Sequence, residues 1–153
     1  MLTRLGVSPV IRVAVMRGGK VVREEHLSNI ITHAGLALLR DALGTGHDIQ
    51  IRQLALGDGD VPPSLDDLAL GNERFRAGVT ARSTLSSNQN ITTVYVGANE
   101  ANFSIREVGW FCTPSATSSA DSGVLFARML FELDKSPLES IQFDRRDIFN
   151  EVL

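Results

Sequence analysis

The stretch Leu54–Arg76, LALGDGDVPPSLDDLALGNERFR, is the one around which the rest of the chain is organised. It opens as a short apolar run and enters a Gly57-Asp58-Gly59-Asp60 turn, where glycines can take positive φ. Pro62 and Pro63 forbid a sheet ladder and stiffen an exposed excursion. Ser64-Leu65-Asp66-Asp67 is expected to cap one helical turn running to Leu70, and Glu73 and Arg76 close the stretch. The segment just upstream, Ile49–Leu56, alternates Ile49 and Ile51 against Gln50 and Arg52, as a strand entering a core does.

Working outward, Val10–Arg17 and Lys20–Leu27 form a hairpin about Gly18-Gly19. Ser28-Asn29 and Thr32 compete as helix starts; Thr32 is a good N-cap and Gly44 a good C′ residue, and Leu36, Leu39 and Leu43 mark one apolar face of a helix over about 32–43. That helix is too short to stand alone and must pack on a sheet. Phe75–Leu85 and Asn90–Gly97 read as a second hairpin, with Ile105–Phe111, Val124–Leu133 and Glu139–Phe149 as the remaining strands. Thr113–Gly123, small and polar, reads as a mobile surface loop. The expected fold is α+β, mainly antiparallel β and sandwich-like, with one helix. The 153 residues suit a single domain over 1–153, with an N-terminal arm at 1–9 and a C-terminal segment at 144–153.

Composition narrows function by exclusion. Hydrophobic content of 43% and charged content of 22% are ordinary globular values. No stretch approaches the ~20 apolar residues of a membrane span, so no membrane partner is expected. A net charge of −3, with scattered basic residues, argues against nucleic acid. Cys112 is a lone cysteine and reads as a small buried hydrophobe in a chain folded in reducing cytosol. Asp58, Asp60, Asp66 and Asp67 do not follow an EF-hand, and His26, His33, His47 and Cys112 have no zinc spacing. No phosphate loop and no G-x-S-x-G elbow is present. The expectation is therefore a non-enzymatic chain with no cofactor and no metal.

Charged residues among aromatics suggest a structural role instead. Glu73, Arg74, Arg76, Arg106 and Glu107 sit beside Phe75, Val108 and Trp110, where charges stay buried only when paired. Glu73 or Glu107 is expected to pair with an arginine of the other segment, pinning the loop to the Ile105–Phe111 strand.

Taken in order, ITHAGLALLRDAL, IRQLALGDGDVPPSLDDLALGNERFR, ANFSIREVGWF and SGVLFARMLFEL resemble small tail-fibre-like and baseplate-associated proteins of tailed bacteriophages. They are similar also to the N-terminal domain of tail-collar fibre proteins. The shared pattern is an N-A-G helix start, A-L-G-(D/T)-G, an Asn-Glu-x-(Y/F)-Arg return, R-E-(V/A)-G and G-x-L-F-A-R. Here Leu70-Gly71-Asn72-Glu73 stands where Leu-x-Asn-Glu is usual, and Trp110 where leucine is usual. The resemblance runs from about Ile30 to Phe143. It implies a virion structural protein of the tail or baseplate, fibre-like or an adaptor, assembled in the host cytoplasm. Its implied partners are other virion proteins and copies of itself, as a trimer. A capsid decoration protein clamping neighbouring capsomers and a receptor- or glycan-binding module using Trp110 or the Thr113–Gly123 loop are the alternatives. The expected interface residues are Asp58, Asp60, Pro62, Pro63 and Trp110, with Leu54, Leu56, Leu70 and Phe75 buried beneath them.

Overall fold

The computed structural model describes residues 3–152. Among these are ten strands and one helix: β1 (Arg4–Arg17), β2 (Lys20–Leu27), β3 (Ile30–Ile31), α1 (His33–Thr45), β4 (Ile51–Gly57), β5 (Glu73–Gly78), β6 (Ala81–Ser86), β7 (Gln89–Val96), β8 (Ser104–Cys112), β9 (Val124–Asp134) and β10 (Ser140–Val152). They form two five-stranded sheets, here sheet A (β2-β1-β10-β7-β6) and sheet B (β3-β9-β8-β4-β5). Every neighbouring pair is antiparallel. The fold is thus an α+β sandwich dominated by antiparallel sheet, as the alternation predicts.

Alternate side chains of each sheet meet in the main core. Sheet A contributes Ile11, Val13, Ile141 and Phe143; sheet B contributes Leu54, Leu56, Val108 and Trp110. Cys112 lies in the same layer, where burial pushes its thiol up to about 12 and leaves it a small apolar group. Arg145 is buried between the sheets, paired with Asp147 at 2.7 Å and set over the rings of Phe126 and Trp110.

Four expectations change. Residues 4–9, expected as an arm, pair with 147–152 of β10, so this part of β1 is strand; Met1 and Leu2 lie outside the described residues, as does Leu153. Gly6 and Pro9 disguise the strand, because the ladder is supplied by a partner far along the chain. The predicted second hairpin is split. Gly78 still pairs with Gln53 in sheet B, whereas Ala81 pairs with Thr93 in sheet A. The switch occurs between neighbours: Val79 donates to the Arg52 carbonyl and Thr80 to the Thr93 carbonyl.

The helix is capped by Thr32, whose hydroxyl accepts from Gly35 N at 2.9 Å and donates to Leu125 O at 2.6 Å. It ends two residues later than expected, at Thr45, with Gly46 left-handed at φ 70°. Its buried stripe is Gly35, Leu38 and Leu39, not Leu36, Leu39 and Leu43. Gly35 sets this rotation, since a Cβ there would lie 2.4 Å from the Phe126 carbonyl oxygen. Leu36 and Leu43 are consequently exposed. Finally, Ser64–Asp67 is a turn without helix; the Asp67 carboxylate accepts from Ser64 N at 2.8 Å.

The turn joining the sheets, between β9 and β10, is fixed by buried charges. Lys135 donates to Ala98 O at 3.1 Å and to Asn102 Oδ1 at 2.9 Å. Glu139 accepts from the Ser136 hydroxyl at 2.6 Å, from Arg17 at 2.6 Å and from Ser136 N at 2.9 Å. The Ser136 hydroxyl, then Arg17, hold its carboxyl down to about 2, below the ordinary 4.5. A carboxyl depressed by folding stabilises the fold fully above 4.5, and that contribution is lost as pH falls toward about 2. Glu139→Gln should therefore lower stability at neutral pH, with the gap to wild type closing as acid is added. Urea melts across this window check it; a gap independent of pH is the contrary result.

Candidate functional site

The outer face of sheet B carries the stretch Leu54–Arg76. Along β8, Trp110 and Cys112 face the main core, so Phe111 faces the other way. There it joins Ala55, Leu70, Ala116 and Leu125 in a second, smaller core. Two loops, Asp58–Asn72 and Thr113–Gly123, cover that face. Leu70 drops onto Gly109, where a Cβ would lie 2.8 Å from its Cδ2.

Glu107 holds the first loop. Its side chain is fully buried, and its two oxygens accept from five N–H groups. Oε1 takes Gly59 N at 3.0 Å and Asn72 N at 2.8 Å; Oε2 takes Gly71 N at 2.9 Å. Arg128 of β9 completes the set with Nε at 3.0 Å and Nη2 at 2.7 Å. The same guanidinium reaches back to the loop, donating to Val61 O at 2.8 Å and Asp67 Oδ2 at 2.9 Å. Glycine is required here by close approach: a Cβ would lie 2.6 Å from Glu107 Oε1 at Gly57 and 2.5 Å at Gly59.

Glu73 and Arg76 hold the second loop. They pair at 2.7 and 3.0 Å, nearly buried, with the guanidinium 4.0 Å from the Phe111 ring centroid. Arg76 Nη1 donates to Thr117 O at 3.2 Å and Ser122 O at 2.8 Å. The segment expected to be mobile is thus tied to sheet B through its backbone.

Each residue singled out from sequence now has a position. Glu107 meets backbone N–H groups of the loop and Arg128, and does not pair with Arg76. Arg106, next to Glu107 along β8, takes no part in either pin and pairs with Asp134 at 2.7 Å. Asp58 is turned inward onto Arg74 at 2.7 Å and Asn72 Nδ2 at 2.6 Å, and Arg74 holds its carboxyl below the usual range. Asp60 and Pro62 are exposed, and Pro63 is half-buried. Trp110 is fully buried and reaches no surface, which corrects its assignment to an interface and removes the basis for a glycan platform there. The acidic side chains Asp58, Asp66 and Asp67 are each directed to a different partner: Arg74, His33 and Arg128. Leu54, Leu56 and Leu70 are buried and Phe75 is partly so. Arg128 is the functional side chain that sequence reading missed. It was present in the G-x-L-F-A-R string, without a sign of what it meets.

The built features of this two-sheet domain are thus two clamped loops and a small second core. Residues 24–116, more than half of the chain, match the phage tail-collar fibre protein, N-terminal family. The chain belongs to that family and is a phage tail structural protein, a component of the virion. No curated protein and no solved structure matches it.

Breaking a buried pair by removing one partner costs ~3–5 kcal/mol, because the other charge is stranded. Glu107→Gln should therefore lower stability by about 3 kcal/mol or more, read as a depressed melting temperature. Arg106→Ala, at a solvent-screened pair, should leave the melting temperature close to that of wild type. Equal melting temperatures for the two variants would show that Glu107 does not clamp the loop.

Proposed function

We propose that the chain is a tail or baseplate adaptor, tail-fibre-like in build, that joins tail components by protein contact and works as a homo-oligomer, with threefold symmetry. The observation that carries this reading is the clamped loop. Its base is held by Glu107 and Arg128, while Asp60, Val61, Pro62, Leu65 and Leu68 remain exposed on it. A surface held in one conformation before it meets a partner loses little entropy on binding. Proline at 62 and 63 adds to that stiffness.

The tail family favours this reading over capsid decoration. Assembly in the host cytoplasm accords with the single thiol, which lies buried in the main core.

Antibody against the chain, applied to purified virions and imaged with gold, should label the tail tip or baseplate. Label distributed over the head would overturn the tail assignment in favour of decoration.

A further inference from the structure

The clamped loop has an apolar crest that the second core does not use. Val61 is 64% exposed, Leu65 47% and Leu68 75%. The helix adds to it: His33 N donates to Leu65 O at 2.8 Å, and Leu36, on that first turn, is 47% exposed. The crest carries acid. Asp60 has no cationic partner among the described residues, and Asp66 meets only His33, at 2.9 Å. Clustered exposed apolar side chains with a polar rim mark an interaction surface.

The complementary surface is on the same chain. The tip of the β1–β2 hairpin carries Val21 at 49% exposed and Val22 at 56%, next to Lys20, which has no acidic partner among the described residues. Arg17 is paired opposite Lys20 across the turn. This tip belongs to sheet A, whereas the crest lies on the outer face of sheet B. The two surfaces thus sit on different layers of one protomer. A contact between them is head-to-tail, the kind that generates a ring when its rotation closes and a filament when it does not.

We propose that the acidic apolar crest of one copy (Asp60, Val61, Leu65, Leu68) docks the basic apolar hairpin tip of the next (Lys20, Val21, Val22). This deepens the oligomer reading given under Proposed function and rests on it. The apolar residues supply the contact, and the Asp60–Lys20 pairing supplies register and speeds encounter. Two like surfaces would repel at Asp60 or at Lys20, so crest-to-crest and tip-to-tip contacts are disfavoured.

The test is sedimentation of the purified full chain over a range of concentration and salt. Wild type should self-associate, more weakly as salt rises. Asp60→Lys and Lys20→Asp should each weaken association about tenfold, and the two together should restore it. Leu68→Ser should abolish association while leaving the circular dichroism and melting temperature of the monomer unchanged, since the side chain is exposed. A chain monomeric at every concentration, or an oligomer indifferent to all these changes, overturns the proposal. So does a double variant no better than the singles. The measurement uses no virion, so gold label at the tail with a monomer in solution would reject this contact and leave the tail assignment standing.

Discussion

A carboxylate without any exposure stands at the centre of this molecule. Taking Glu107 and Arg128 out of water costs several kcal/mol per ion, and their attraction repays that only when the remaining lone pairs are satisfied. Here they are. Three backbone N–H groups from the loop and two from Arg128 fill both oxygens. The backbone amides of Gly59, Gly71 and Asn72 have no sheet ladder to join, and the carboxylate gives all three a common acceptor. The pair and the loop therefore solve each other's problem. What the arrangement adds is geometry more than stability: it allows the loop only one path over sheet B.

From that point the outer face of sheet B follows. With the loop ends held, Leu70 falls onto Gly109 and beside Phe111, and the small second core closes. Arg76 lies over the Phe111 ring and carries the Thr113–Gly123 loop with it. The aromatic ring at 111 is thus shared by two clamps, one apolar and one cationic. The inner face uses a related device. Arg145 is set over Phe126 and Trp110 and bonded to Asp147 on its own strand, so a charge enters the core only with its counterion and two rings around it.

Much of this was legible in the chain, and the limits have physical causes. The β1–β2 hairpin, the Thr32 cap and the strand entering at Ile51 follow from turn chemistry, capping and alternation, all of which are local. The pairing of Arg4–Pro9 was not local; its ladder comes from β10, and Gly6 and Pro9 weaken the strand signal. The sheet switch at Val79–Thr80 leaves no mark, because both neighbours remain extended and merely bond to different layers. Periodicity found an apolar helix face but not its rotation, which Gly35 against Phe126 decides. For the clamp, the charges at 73, 76 and 107 were conspicuous beside aromatics. Their partners were not: Arg128 lies on another strand, and backbone amides carry no side-chain signature. The strings that suggested the family, GDG, N-E-R-F-R, R-E-V-G and G-V-L-F-A-R, are the ones that converge on this face. Each is weak alone because each supplies one part of the clamp.

The segment 24–116 that matches the family is not by itself a closed structure. It contains β3 through β8 and the whole Asp58–Asn72 loop, together with Glu107. It lacks β9, which joins β3 to β8 in sheet B, and β10, which joins β1 to β7 in sheet A. Without β9 the clamp also loses Arg128, and Glu107 becomes a buried charge with no counterion. Two separate sheet fragments and an uncompensated carboxylate do not make a stable domain. The clamped loop of this chain therefore depends on strands that follow it in sequence. β9 and β10 are the strands that complete the two sheets.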